Sequence, residues 1–426
     1  MPDAATLAKL EAAVAKNWEK QVAFLADLVR FPSVRGKEGP CQDWIARQFA
    51  ARGWDVDRYT LSELDGTHPK WSPVMDTDYS QAVQVVATVR AQQPGGRSLI
   101  LQGHVDVVPE GPVEMWQVPA YDPAIRDGWM NGRGANDMKS GVAAMIFAMD
   151  AVRDAGLTPR GDIYVQTVTE EECTGNGALS TLCRGYRADA CLIPEPTGEA
   201  ITRGHVGVMW FRLKLRGVPV HVMEAQKGTN AILSAFRIIE ELQALTARIN
   251  ERARSHPVFK AVENPVKFNP GKIRGGDWAS STPAWCEVDC RIGLLPGTPL
   301  AEARAEVEAA VAAAAKSDAF LANSPPEVIW NGFQADGLYI EPDSEAERVL
   351  AAAHTQVFGA PPRVRLSTGV NDTRFYYNDF GIPSICYGAA GFGSHAFDER
   401  VDLESVKRTT LSIAAFITDW CGAAPG

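Results

Sequence analysis

The run Ser98-Leu99-Ile100-Leu101-Gln102-Gly103-His104-Val105-Asp106-Val107-Val108-Pro109 is apolar, β-rich and closed by a proline, which predicts a buried strand. In an extended chain His104 and Asp106 project to the same side, because side chains two apart share a face. A carboxylate beside a histidine can accept one ring N–H and leave the other nitrogen free for a metal ion. The same pair also suits a buried hydrogen bond with no metal, so the neighbouring segments must decide.

Downstream, Gly132-Arg133-Gly134-Ala135-Asn136-Asp137-Met138-Lys139 sets an isolated carboxylate ahead of a helical stretch from about Lys139 to Ala155. A second buried strand is predicted over Gly161-Asp162-Ile163-Tyr164-Val165-Gln166-Thr167-Val168-Thr169, and it runs into Glu170-Glu171-Glu172 followed by Cys173-Thr174-Gly175-Asn176-Gly177. Three adjacent acids repel one another. Either something positive lies among them, or they open a helix, where acids favour the first turn. Ala190-Cys191-Leu192-Ile193 then ends in Pro194-Glu195-Pro196-Thr197, whose prolines hold the glutamate extended. Far along the chain, Pro383-Ser384-Ile385-Cys386-Tyr387 gives a further strand, and a glycine-rich segment delivers Ser394-His395. His, Asp, Glu, Glu and His at five successive strand ends make a ligand set for a borderline metal such as zinc.

Alternating strands and helices predict an α/β fold, a doubly wound and mostly parallel sheet with helices on both faces. From Val208 the pattern changes: Met209-Trp210-Phe211-Arg212-Leu213-Lys214-Leu215 alternates like a half-exposed antiparallel strand. A long helix from about 228 to 255, a strand over 285–292, an alanine-rich helix over 300–315 and a last strand near 327–330 complete a smaller α/β sandwich inserted in the first. The expected organisation is 1–206 for the first part of a catalytic domain, 207–324 for a lid and dimerisation domain, and 325–426 for the second part of the catalytic domain. Two domains agree with a length of 426 residues.

The net charge of −10 argues against nucleic acid and anionic membrane surfaces as partners. No apolar run approaches the roughly 20 residues of a membrane span, and the first residues lack the basic start and apolar segment of a secretory signal. The eight cysteines are scattered, several inside apolar strands, so a reduced cytoplasmic protein is expected.

The ordered set Gly-His-x-Asp, Gly-Arg-Gly-x-x-Asp-Met-Lys, Glu-Glu-Glu before Gly-Asn-Gly, Glu-Pro-Thr and a late Gly-Ser-His resembles the dinuclear metallohydrolases that include acetylornithine deacetylase, succinyl-diaminopimelate desuccinylase, aminoacylase and glutamate carboxypeptidases. The resemblance implies two divalent metal ions, zinc first with cobalt or manganese as alternatives. Asp137 would bridge them, with His104 and Glu195 completing one site and Glu172 and His395 the other. Asp106 would orient His104, and Glu171 would be the general base. That register sets Gly175 and Gly177 against the family's glycine-rich turn; a slip of one residue is the competing assignment. Gly217-Val218-Pro219-Val220-His221 resembles the family's lid histidine, an oxyanion donor that often reaches the partner subunit's site, in cis or in trans, so a homodimer is implied. Arg291, with Asn269, resembles the positions that hold a substrate carboxylate, and Arg374 in Asn371-Asp372-Thr373-Arg374-Phe375 is a second anion contact in this reading. An arginine's planar fork suits a carboxylate because it bonds both oxygens.

The leading expectation is therefore a metal-dependent amidohydrolase that cleaves the amide of an N-acyl amino acid, a small-molecule substrate carrying a carboxylate. A di- or carboxypeptidase of the same fold, a hydrolase of a carbamoyl or aromatic-amine C–N bond, and a non-catalytic relative are the competing classes. The last would have lost ligands or the base, and here all those positions are filled.

Overall fold

The strand predicted at the histidine forms over Leu99–His104, and every residue of it is buried. Its alternation decides its surroundings: Leu99 and Leu101 join the cluster under one face of the sheet, whereas Ile100 joins the cluster under the other. A strand apolar on both faces belongs in the middle of a covered parallel sheet. That is its place in the computed structural model, which describes residues 2–426. Strand Ile163–Val168 lies parallel on one side of it and Cys191–Ile193 parallel on the other, and Ser384–Cys386 continues the parallel run. On one side Val83–Val89 pairs antiparallel with Ile163–Val168 and with the edge strand Asp55–Thr60; on the other Ile201–His205 pairs antiparallel with Ser384–Cys386 and with the edge strand Leu338–Tyr339, and Val364–Ser367 adds to Ile201–His205 in parallel. The nine-stranded sheet is mixed, with its parallel strands at the centre.

Helices Ala4–Arg30, Ser140–Asp154, Glu345–Phe358 and Leu403–Trp420 cover one face with apolar stripes; Asn176–Cys183 and the turn at Phe375–Asp379 cover the other. Leu403–Trp420 starts on Asp402, whose side chain accepts from the Glu404 and Ser405 N–H groups, a cap that satisfies donors the first turn leaves free.

The smaller sheet has its own core. Gly207–Arg216 pairs antiparallel with Trp285–Leu294 and with Glu327–Ala335, and helices Ala231–Ala253 and Leu300–Lys316 pack on one face. The first of these helices buries Ala231, Ala235, Ile238, Leu242, Leu245 and Ile249, the spacing of a single helical face. Two features depart from the sequence reading. A fourth strand, Phe268–Gly275, forms the free edge of this sheet; with Asn, Pro, Gly and Lys in it and nearly every residue exposed, it carries no alternation by which to see it. The opposite edge strand also runs on to Ala335, past residue 324, because the Gly207–Arg216 strand holds it by pairing.

Parallel strands that point the same way bring their carboxyl ends to one edge, the usual place for a site in open α/β sheets. At that edge the chain after Ile193 is clasped between two glycines. A Cβ on Gly141, in the Ser140–Asp154 helix, would lie 2.0 Å from the Pro194 carbonyl oxygen, and one on Gly388 would lie 2.3 Å from that of Glu195. The glycines let a helix and a loop close on the backbone that carries Glu195. Gly141→Ala gains about 1 kcal/mol in helix propensity but forces a backbone shift costing about 1–3 kcal/mol. A net fall in denaturation midpoint and displacement of Glu195 are expected, read by urea unfolding and by loss of activity.

Candidate metal centre

His104 closes its strand with its ring fully enclosed, 1 % exposed. Nδ1 lies 3.0 Å from the Asp106 carbonyl oxygen and 3.6 Å from Asp106 Oδ1. Asp106 thus engages His104 first through its backbone, while its Oδ2 accepts from the Glu172 N–H at 3.1 Å. The other ring nitrogen, Nε2, is buried without a hydrogen-bond partner, an orphan that needs explaining. Around it stand Asp137 Oδ1 at 3.3 Å, Glu195 Oε1 at 3.8 Å and Glu171 Oε2 at 3.9 Å. The other oxygen of Asp137, Oδ2, lies 3.6 Å from His395 Nε2, which is itself 2.9 Å from Glu172 Oε1.

One carboxylate therefore faces two triads, His104–Asp137–Glu195 and Asp137–Glu172–His395, each with donor atoms within 4.8 Å of one another. A third grouping, His104–Glu171–Glu172, also meets that limit. Glu172 is shared, but only Glu172 reaches His395, which favours it over Glu171 as a ligand. Oxygen and imidazole donors around an orphaned, buried nitrogen fit a cation such as zinc. Asp137 departs from the expected placement: it sits in the turn at Ala135–Lys139 that leads into a helix, and not at a strand end.

The charges are poorly balanced without a cation. Burial pushes the Glu171 and Glu195 carboxyls well up, and neighbouring acids add to the effect although His104 opposes it. Asp106 is raised to about 7, again chiefly by burial. For His104 burial works against the charged ring, yet Glu195, Asp137 and Glu171 outweigh it and hold the pKa well above the ordinary value; Glu172 lifts His395 to about 9.

Within the acid triplet only Glu170 has a guanidinium partner, while Glu171 and Glu172 face the histidines. Glu170 takes a left-handed backbone (φ 69°), which turns its carboxylate away onto Arg35, Tyr79 and Thr174, with Arg35 Nη2 at 2.7 Å. Arg35 was not foreseen, since it lies far off in sequence in an unremarkable loop. Nor were Arg133 and Glu399. They form a fully buried ion pair at 2.6 Å, and the second Glu399 oxygen accepts the Asn136 and Asp137 N–H groups at 3.0 and 2.9 Å. Asn136 in turn donates to Ser394 Oγ at 2.8 Å. Glu399, four residues beyond His395, thus braces the segments that carry Asp137 and His395. Its signal was an acid after the late histidine beside an arginine in the Gly-Arg-Gly turn.

The cavity at this edge encloses about 260 Å³, and Asp137, Glu171, Glu172, Glu195 and His395 line one side of it. Arg374 is not among its lining residues. Its side chain is buried beneath the floor, where it donates to the Asn371 and Thr174 carbonyls at 2.9 and 3.2 Å and stacks on Phe375. Its burial follows from the tight turn it supports: a Cβ on Gly175 would meet its guanidinium at 2.0 Å. His221, Arg291 and Asn269 lie on the smaller domain, away from the cavity lining. Asn269 and Arg291 face each other across paired strands, and His221 is exposed, its Nδ1 accepting from the Met223 N–H at 3.1 Å.

Truncating Glu399 alone leaves Arg133 buried and unpaired, so Glu399→Ala should cost about 3–5 kcal/mol, read as a lowered unfolding midpoint. Glu399→Leu with Arg133→Met should recover part of that stability while leaving the Asp137 turn unbraced.

The sequence model of the peptidase family M20/M25/M40 matches residues 100–419. The chain is 28% identical to the N-formyl-4-amino-5-aminomethyl-2-methylpyrimidine deformylase of Bacillus subtilis (strain 168), over 97% of each chain. It is 27% identical to a succinyl-diaminopimelate desuccinylase of Cereibacter sphaeroides, over 91% of this chain and 95% of that one. Among solved structures, the di-peptidase Dug1p from Saccharomyces cerevisiae superposes over 100% of both chains with a TM-score of 0.80 at 16% identity. Human carnosine dipeptidase 1 does so over 97% of this chain and 99% of its own, with a TM-score of 0.76 at 16% identity; at these identities the likeness is one of fold. Two triads on one shared carboxylate at the carboxyl edge of the sheet and a family match over three quarters of the sequence converge: this chain belongs to peptidase family M20/M25/M40.

Proposed function

We propose that the chain is a metal-dependent amidohydrolase that cleaves the amide bond of an N-acyl amino acid. The observation that carries this reading is Asp137, whose two oxygens face two separate donor triads. His104, Asp137 and Glu195 would hold one divalent ion and Asp137, Glu172 and His395 a second, with zinc first and cobalt or manganese as alternatives. Such a pair, when bound, lowers the pKa of a water and polarises the scissile carbonyl.

The remaining steps belong to the chain's own groups. Glu171 is buried, reaches the site from beside Glu172, and has a raised affinity for a proton. It takes a proton from the attacking water and returns it to the departing amine, which is base and then acid work by one carboxylate. Asp106 fixes the His104 ring by its contacts to Nδ1. His221 supplies a donor to the oxyanion, worth roughly 3–4 kcal/mol for a well-placed group, and Arg291 with Asn269 offers a carboxylate contact from the lid.

Since His221 and Arg291 lie on the smaller domain, that domain must close on the cavity or meet it in a second subunit. A homodimer is supported by its exposed apolar side chains Leu233, Phe236, Ile273 and Trp278 and by the free edge of Phe268–Gly275, because bare edges and exposed apolar groups favour association. Eight free cysteines support a reducing, cytoplasmic setting, and among the described residues no helix is long and apolar enough to cross a membrane.

The relatives' names support acyl-amine hydrolysis of two kinds. The desuccinylase points to an amino acid amine, and the deformylase to an aminomethylpyrimidine, a second reading of the same site. A panel of N-acetyl, N-succinyl and N-formyl amino acids, an N-formyl aminomethylpyrimidine and dipeptides, assayed with zinc, cobalt or manganese restored, tests both. Hydrolysis of an N-acyl amino acid is expected to lead. In the same assay Glu171→Gln should abolish turnover with metal content intact, whereas Glu172→Gln should lower metal occupancy; the reverse pattern would exchange their roles. Inactivity across the panel with every metal would overturn the reading.

A further inference from the structure

The cavity has a second wall that the catalytic reading leaves without a task. Beside the acids, three adjacent strands set Cys386, Thr202 and Arg365 in one row: Cys386 pairs with Thr202, and Thr202 with Arg365. All three line the cavity, together with Ser367 and Asn371. Thr202 and Asn371 are buried and Arg365 is exposed to the cavity mouth.

Arg365 differs from the arginines around it. Arg203, on the same strand as Thr202, is paired with Glu347, and Arg408 is paired with Glu199. Among the described residues Arg365 has no carboxylate partner; its one hydrogen bond runs from Nη1 to the Thr197 carbonyl at 3.3 Å. The charged cavity-lining residues other than Arg365 are the four acids and His395, all absorbed by the proposed centre. An unpaired guanidinium lining the same small cavity as the proposed metal centre leaves most of its fork free for a bidentate anion. The lid arginine is not needed for this contact, and the buried Arg374 cannot make it.

We propose that Arg365, beside Thr202, is a specificity-determining residue that receives a carboxylate of the substrate inside the cavity. The inference rests on the amidohydrolase reading and names a residue within the cavity that would read the substrate's charge. The carboxylate has two sources with the same chemistry, the far end of a dicarboxylic acyl group or the α-carboxylate of the amine.

The test compares wild type, Arg365→Gln and Arg365→Lys, all metal-loaded, on matched pairs: N-succinyl-methylamine against N-acetyl-methylamine, and an N-acetyl amino acid against its amide. Arg365→Gln should reduce the preference for the carboxylate-bearing member of one pair at least tenfold, mainly through KM, and Arg365→Lys should retain part of it. Loss in the succinyl pair assigns the acyl end; loss in the amino acid pair assigns the amine end. An unchanged preference in both pairs would overturn the proposal. Calorimetric binding of succinate and of an N-acetyl amino acid to the same proteins does not depend on turnover: weakening by Arg365→Gln of at least tenfold supports the proposal even if the panel were inactive, and equal affinity rejects it.

Discussion

Four carboxylates and two imidazoles are brought within a few ångströms of one another, and the rest of the structure is arranged around tolerating that. Two like charges about 4 Å apart at an effective dielectric of about 20 repel by about 4 kcal/mol, so several such pairs would exceed the usual stability of a domain, about 5–15 kcal/mol. In the absence of a cation the groups respond by moving protons: burial and crowding raise Glu171 and Glu195, and the acids hold His104 and His395 charged. Both responses have the same sign. Carboxyls with raised folded values lose stability as pH climbs above about 4.5, and histidines with raised values lose theirs as pH passes through the folded value, about 9 for His395. Bound cations would remove the need for either response.

Holding such a cluster together requires rigid support outside it, and each acid has one. The Arg133–Glu399 pair fixes the Asp137 turn, two glycines clasp the backbone of Glu195, and Arg35 draws Glu170 aside so that Glu171 and Glu172 can face the cavity. The acid turn is also tied to the smaller domain. Ser72 Oγ donates to the Thr174 carbonyl at 3.2 Å and accepts the Gln334 N–H at 3.3 Å, while the Gly332 N–H meets the Pro73 carbonyl at 2.7 Å. The Glu327–Ala335 edge strand of the smaller sheet and the loop bearing the proposed base therefore share a hydrogen-bonded anchor.

Much of this was legible in sequence where a residue's own neighbours carry the information. The strand before His104 is apolar on both faces, the glutamate between prolines stands at a strand end, and the switch at Val208 from buried to alternating text marks the second sheet. The reading weakened where the deciding contact is distant or the pattern is silent. Arg374 looked like an anion contact from its motif, yet burial by Phe375 and the Thr174 turn makes it a support. Arg35 and Glu399 matter only through partners more than a hundred residues away. The Phe268–Gly275 strand lacks periodicity because little of it is buried. Arg365 gave no signal, since its meaning lies in the strand register that sets it beside Thr202.

The central claim is that one shared carboxylate organises two cation sites. It is tested most directly by equilibrium dialysis of the metal-stripped protein against zinc or manganese, with bound metal counted by mass spectrometry and the melting temperature followed in parallel. The account predicts two equivalents per chain and a rise in melting temperature, because ions that bind only the folded state stabilise it, with Asp137→Asn weakening both sites together. Less than one equivalent bound by a folded protein, or an Asp137→Asn variant that keeps both ions at undiminished affinity, would contradict it.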